Sequence, residues 1–287
     1  MPKRTHLLAT AAALALASFA TAAHAVPAIG ITGGSTLFDF DTATPGTIGG
    51  QRAITGLQAA ETLYGVDFRP TTSALYGLGT SGSLYTINRF TGAASIASTL
   101  STPLDGGSFD IAFNPTVDRL RVVSNTGQSL RINVDTGAVT VDVPLAYAAG
   151  SSASSLPAVT AVAYTNQVPG AVGSTVLYDI DPANGLLDIQ NPPNNGTLVA
   201  VGALGVTGLT SFDIDGVNGN TAYAASSSSF YNISLATGAA SLVGAFGIAN
   251  VTDFAVTAVP EPMSLALLGM GLGGMATLRR RRGSLAA

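Results

Sequence analysis

The chain has 287 residues, 10% of them charged, a formal net charge of -4, two histidines, and neither cysteine nor tryptophan. An acidic chain without a basic surplus is not a general nucleic-acid binder. One without thiols forms no disulfides and does no thiolate chemistry.

Lys3 and Arg4 are followed by an apolar stretch from Leu7 to Ala22 and then by Ala23-His24-Ala25. This is the charged, apolar and A-x-A order of a secretory signal peptide, so residues 1–25 are expected to be removed by signal peptidase between Ala25 and Val26.

Residues 26–259 form the body. Both histidines and the one lysine lie upstream of it, so the body has no His, Lys or Cys. Serine and cysteine nucleophiles that use an imidazole base, zinc sites and Schiff-base chemistry are therefore excluded for the isolated mature chain. Six arginines face fourteen aspartates and Glu61, leaving the body nine charges negative. Carboxylate chemistry and oxygen-ligated cations such as calcium stay open.

Two alternating segments recur along the body. The first ends in a Gly-bearing turn: LFDFDTATPG from Leu37, LYTINRFTG from Leu84, SLRINVDTG from Ser129, LYDIDPANG from Leu177 and FYNISLATG from Phe230. Strands followed by Thr-Gly or Asn-Gly are hairpin signals. The second comprises YGVDF from Tyr64, FDIAF from Phe109, TAVAY from Thr160, FDIDG from Phe212 and TDFAV from Thr252. Phe68 and Phe113, Pro70 and Pro115, Asn88 and Asn133, and Gly92 and Gly137 are each 45 residues apart. A period near that length, with short strands and little helical pattern, reads as propeller blades.

The fold class expected is therefore all-β, a five-bladed β-propeller. Its blades would be 55–98, 104–143, 157–204 and 208–246, plus a composite of 28–54 with 251–258. The body opens on the second half of a unit and closes on the first half of one, so joining the two closes the ring and removes its edge strands. Residues 146–157 read as a connector between blades. The insertions at 166–174 and 191–196 are candidate rim loops.

Three quoted stretches, GVDFRPTTSALYGL, FNPTVDRLRVVSNTGQSLRINVDTG and LYDIDPANGLLDIQNPPNNGTL, resemble a bacterial domain-of-unknown-function family, number 4394, over nearly the whole body. That resemblance implies no activity and no catalytic residues.

If the YGVDF-type strand lies nearest the axis, Asp67, Asp110, Asp213, Asp215 and Asp253 ring the centre. There they either accept backbone hydrogen bonds that tie blades together, or hold a hard cation or act as a carboxylate pair on sugars. The D-x-D pairs Asp39/Asp41, Asp179/Asp181 and Asp213/Asp215 share strand faces at a spacing of about 6.5–7 Å. Arg119, Arg121 and Arg131 fall in one blade. They read either as partners of Asp118 and Asp135 or as a site for an anionic glycan.

The tail, 260–287, is Pro260-Glu261-Pro262, a 16-residue apolar run from Met263 to Leu278, and Arg279, Arg280, Arg281 and Arg282. As a helix the run is about 24 Å long, short for a bilayer core of about 30 Å. The three parts in this order resemble the PEP-CTERM sorting signal of Gram-negative bacteria. The resemblance implies transient membrane insertion, processing by exosortase, and release at the cell surface among exopolysaccharide; a retained tail would anchor the body on the periplasmic side. The functions that follow are a non-catalytic propeller binding polysaccharide or another envelope component, an Asp-dependent glycan hydrolase or lyase, and a purely structural matrix protein.

Overall fold

The structure is a computed structural model that describes residues 25–257 except 152, 154, 155 and 169–172. Ala23, Pro260-Glu261-Pro262 and the four terminal arginines lie outside the described residues, as does the apolar run of the tail. Among the described residues no helix is long and apolar enough to cross a membrane.

Five antiparallel sheets form a five-bladed propeller. The first blade is β4 (Leu63–Arg69), β5 (Ala74–Gly79), β6 (Ser83–Ile87) and β7 (Ala94–Thr99). The second is β8 (Phe109–Asn114), β9 (Arg119–Ser124), β10 (Ser129–Ile132) and β11 (Val139–Val141). The third is β13 (Ala161–Tyr164), β14 (Leu177–Asp181), β15 (Leu186–Gln190) and β16 (Thr197–Ala203), and the fourth β17 (Ser211–Asp215), β18 (Thr221–Ala225), β19 (Ser229–Ile233) and β20 (Ala240–Ala245). The last blade joins the two ends of the body: β21 (Val251–Val256) pairs with β1 (Pro27–Thr32), which continues into β2 (Thr36–Asp41) and β3 (Gln51–Ala53). The register Ala28↔Val256, Gly30↔Phe254 and Ile31↔Asp253 closes the ring as the repeat order requires.

The innermost strands touch in a cycle, β21 to β4 to β8 to β13 to β17 and back to β21. These are the five YGVDF-type segments, so that segment does lie at the axis. Each blade buries both faces against its neighbours, giving five apolar wedges. Between the composite and first blades lie Ile31, Leu37, Val66 and Tyr85. Between the fourth and composite blades five phenylalanines converge, Phe38, Phe40, Phe230, Phe246 and Phe254, mostly edge-to-face. Such packing holds neighbouring blades by burial and ring geometry together.

Two details of the repeat differ from expectation. In the third blade LYDIDPANG is the second strand and its turn to the third, whereas the equivalent motif elsewhere is the third strand and its turn to the fourth. Alternation plus Asn-Gly marks a hairpin without saying which hairpin of a blade it is. The stretch at 146–157 is also not only a connector: β12 (Ala146–Tyr147) adds to β16 in parallel as a fifth, outer strand. The insertion at 191–196 turns onto the second blade, where Asn194 accepts from Val143 N–H and from the Arg121 guanidinium, whereas Gln167 of the other insertion lies beside residues of β4, β17 and β21 at one mouth of the propeller.

Candidate functional site

The axis is built by alternation. Every second residue of an inner strand points at the crowded centre, and four of the predicted aspartates sit there, each at most 6% exposed. Asp67 accepts hydrogen bonds from its neighbour Phe68 N–H at 2.7 Å and from Phe113 N–H of the next blade at 2.6 Å. Asp110 bridges Ile111 N–H and Val162 N–H at 2.8 Å each. Asp213 bridges Ile214 N–H and Val256 N–H, both at 2.7 Å. Asp253 accepts from Val66 N–H at 2.6 Å and from the Ser211 hydroxyl at 2.5 Å. Four of the five junctions are thus stapled by a carboxylate.

The fifth junction, from β13 to β17, has Ala161 and Ala163 where the others carry Asp. It is joined instead by Thr160 donating to the Leu209 carbonyl at 3.2 Å and by the amides of Asn166 and Asn220. Gly65 is small for a steric reason: a Cβ there would lie 3.0 Å from Asp253 Oδ2 and 3.2 Å from Asp110 Oδ1. Asp215 is not a staple. It closes its own turn, accepting from Val217 N–H at 2.9 Å and from Asn218 Nδ2 at 2.6 Å.

Burial pushes all four ring carboxyls up, against the pull of their N–H donors. Asp213 and Asp253 reach about 7, each opposed by its own hydrogen bonds. Asp67 and Asp110 are raised well above the usual carboxylate range by burial and then by the charges of Asp213 and Asp253 respectively. Among the described residues no three Asp, Glu, His or Cys side chains converge to hold a metal ion.

Above this ring opens a cavity of about 250 Å³, lined by Asp67, Phe68, Arg69, Pro70, Arg89, Phe90, Gln167, Asp213, Asp215 and Val256 among others. Of these the aspartates are candidates from sequence, and Gln167 falls in the insertion read there as a rim loop. Arg89 and Phe90 come from the turn after β6, and Phe90 is 75% exposed. The Arg89 guanidinium stacks 4.7 Å from the Phe90 ring centroid and 6.0 Å from that of Phe68. Gln167, in the insertion after β13, is 6% exposed, and neither end of its amide has a partner among the described residues. A second cavity of about 250 Å³ shares Arg89, Phe90 and Thr257 with the first and extends to Pro27, Asp39 and Arg52.

The arginines singled out from sequence lie elsewhere: Arg119 and Arg131 share a separate cavity of about 220 Å³ on the second blade, while Arg121 is turned inward. Arg121 is buried, 1% exposed, ion-paired to Asp142 at 2.6 Å and bonded to Ser129 and Asn194. Arg131, opposite it in register, binds the same Asp142 at 2.7 Å. The expected partners Asp118 and Asp135 belong instead to Arg69, at 2.6 and 2.8 Å. Strand alternation gave Arg121 and Arg119 one face correctly, but that face meets the third blade at Arg121 and solvent only at Arg119. Arg119 donates to the carbonyls of Val117 and Asp118.

The other D-x-D carboxylates are committed to local structure. Asp39 pairs bidentately with Arg52 at 2.6 and 2.7 Å, and Asp41 and Asp181 cap turns. Asp179 differs: it is fully buried opposite Asp188, and neither of its oxygens has a partner among the described residues. Burial raises Asp179 well above the usual range and Asp188 to about 7.

The fold and its axial carboxylate staples define a β-propeller closed by its own termini. Its sequence matches the profile of the family described as "Domain of unknown function (DUF4394)" over residues 36–255, and the chain belongs to that family. No curated protein sequence matches it at a significant level. Among solved structures, one from Bacteroides thetaiotaomicron VPI-5482, described as a structural genomics protein of unknown function, is 14% identical with a TM-score of 0.51. The alignment covers 70% of this chain and 54% of that one, so this chain spans about half its length. A nidogen/laminin complex aligns at 12% identity and a TM-score of 0.44, covering 81% of this chain and 98% of that one. At such identities the likeness concerns the fold alone.

Proposed function

We propose that this is an exported, non-catalytic propeller of the surface or matrix of a Gram-negative bacterium that binds polysaccharide, or another envelope component, at its axial mouth. The observation that carries the reading is the rim itself: an exposed Phe90, a stacked Arg89 and a buried Gln167 amide without a partner, gathered over one cavity. An aromatic face for a sugar ring plus a few directed polar groups is what a saccharide site needs. Export and release rest on the signal-like start and on the resemblance of the tail to the exosortase signal, and the non-catalytic reading on the absence of His, Lys and Cys from the body.

One observation favours a hydrolytic alternative. Asp67 and Asp213 both line the cavity and both are raised, which is the condition for a carboxyl acid. Against it, each already accepts two backbone N–H bonds that its structural role needs.

A single preparation tests both. Protein recovered from the surface fraction should have an intact mass that begins at Val26 and ends near Pro260-Glu261-Pro262. It should bind purified exopolysaccharide saturably without releasing reducing ends, and Phe90→Ala should weaken binding about ten-fold with an unchanged melting temperature. Reducing ends released by the wild type and not by Asp213→Asn would replace binding by hydrolysis. No binding and no turnover would leave only a structural matrix role.

A further inference from the structure

We infer that the axial mouth recognises a saccharide unit bearing a carboxylate, within a chain that passes over Phe90 from the axial cavity into the neighbouring groove. This inference rests on the polysaccharide-binding reading above and names its ligand class.

The argument starts from what the other cations do. Arg52 is held by Asp39, Arg69 by Asp118 and Asp135, and Arg121 and Arg131 by Asp142, while Arg119 is bonded to carbonyls. Among the described residues, Arg89 alone of the six has a guanidinium with no ion pair and no hydrogen bond. It sits over the faces of Phe68 and Phe90. A guanidinium held over aromatic faces spends none of its N–H donors on them, and those donors remain free to take a planar carboxylate bidentately.

The repeat makes the same residues exceptional. The five-residue turn Asn88-Arg89-Phe90-Thr91-Gly92 corresponds to Asn133-Val134-Asp135-Thr136-Gly137 and Ser234-Leu235-Ala236-Thr237-Gly238. In each, the Gly N–H returns to the carbonyl of the first residue at 2.8 Å. The turn geometry is therefore shared while its second and third residues are not. Val134 is buried and Leu235 packs against a core wedge, whereas Arg89 in their place leans over a cavity. Blade construction does not require Arg89 or a 75% exposed Phe90.

Beside them the Gln167 amide brings two N–H donors and an acceptor oxygen to the cavity wall, with no partner among the described residues. Burial pushes the underlying Asp67 and Asp213 toward the neutral acid, which lessens their opposition to an anion held by Arg89. Each cavity, at about 250 Å³, is small for a ligand site, and the two share the Arg89–Phe90 wall. That continuity suits consecutive units of a polymer better than one isolated sugar.

The full-length protein is titrated with tetrasaccharides of galacturonate, glucuronate and mannuronate, their neutral galactose, glucose and mannose counterparts, and the acidic monosaccharides. At least one acidic tetrasaccharide should bind about ten-fold or more tighter than its neutral counterpart and than its own monomer. Arg89→Gln should reduce it to the neutral level with an unchanged melting temperature. Equal binding of acidic and neutral forms, or an unaffected Arg89→Gln, would overturn the carboxylate and leave polysaccharide binding standing. No binding by any of the probes would overturn both.

Discussion

Replacing Asp67 by alanine is expected to destabilise the protein by about 2–5 kcal/mol at pH 5, although Asp67 touches no other charged side chain through a hydrogen bond. The change strands two buried donors, Phe68 N–H and Phe113 N–H, at a cost of about 1–3 kcal/mol each. The second belongs to the next blade, so the loss falls on a junction between blades. Asp39→Ala serves as the comparison. Asp39 is 44% exposed and paired with Arg52, and removing such a pair costs about 0–1 kcal/mol. Chemical denaturation of both variants checks this. A change of less than about 0.5 kcal/mol for Asp67→Ala would mean that the apolar wedge of Leu78, Phe109 and Phe113 holds that junction without the staple.

The second large effect is on pH. Asp213 and Asp253 have folded-state values of about 7, and Asp67 and Asp110 are also raised, against about 3.9 for an unfolded Asp. Between those values the folded chain binds more protons than the unfolded one, so stability falls as pH rises. The contribution is fully present below about pH 4 and is lost as pH climbs through about 7. A carboxyl moved from about 3.9 to about 7 is worth at most about 4 kcal/mol.

Below pH 4 the sign reverses. Arg69 holds Asp118 and Asp135 below the usual range, and their share of stability disappears on acidification. The melting temperature should therefore peak near pH 4–5 and decline toward neutrality, with a shallower decline in Asp253→Asn. A melting temperature that is flat or rising from pH 5 to 7 would show that the N–H donors keep the ring ionised at little cost.

Much of the fold is legible in the sequence because blades are made from hairpins. Period-two alternation and Gly turns mark each strand, and small residues flanking the aspartates mark the inner ones. The composite blade follows from where the repeat begins and ends. What sequence does not carry is which hairpin of a blade a motif represents, hence the offset of LYDIDPANG. It also does not say which half of a strand face is covered by a neighbouring blade, and so Arg121 becomes an internal ion pair while Arg119 stays outside.

The candidate site was only partly readable. The axial aspartates stand out through strand position, but their role as staples depends on N–H groups of another blade. Arg89 and Phe90 did leave a signal, since they depart from Val134-Asp135 and Leu235-Ala236 in an otherwise matching turn. Gln167 left only a coarse one: it falls in the insertion 166–174 read as a candidate rim loop, but its unpartnered amide is a property of three-dimensional packing.

The most direct test of the central claim is hydrogen–deuterium exchange of the full-length protein with and without a bound oligosaccharide. Protection of backbone amides at 88–91 and around Gln167 is the expected result, with no change at 138–140, beside the separate cavity lined by Arg119 and Arg131. Protection at 138–140 with none at 88–91 would contradict it and move the site from the axial mouth to the outer face of the second blade.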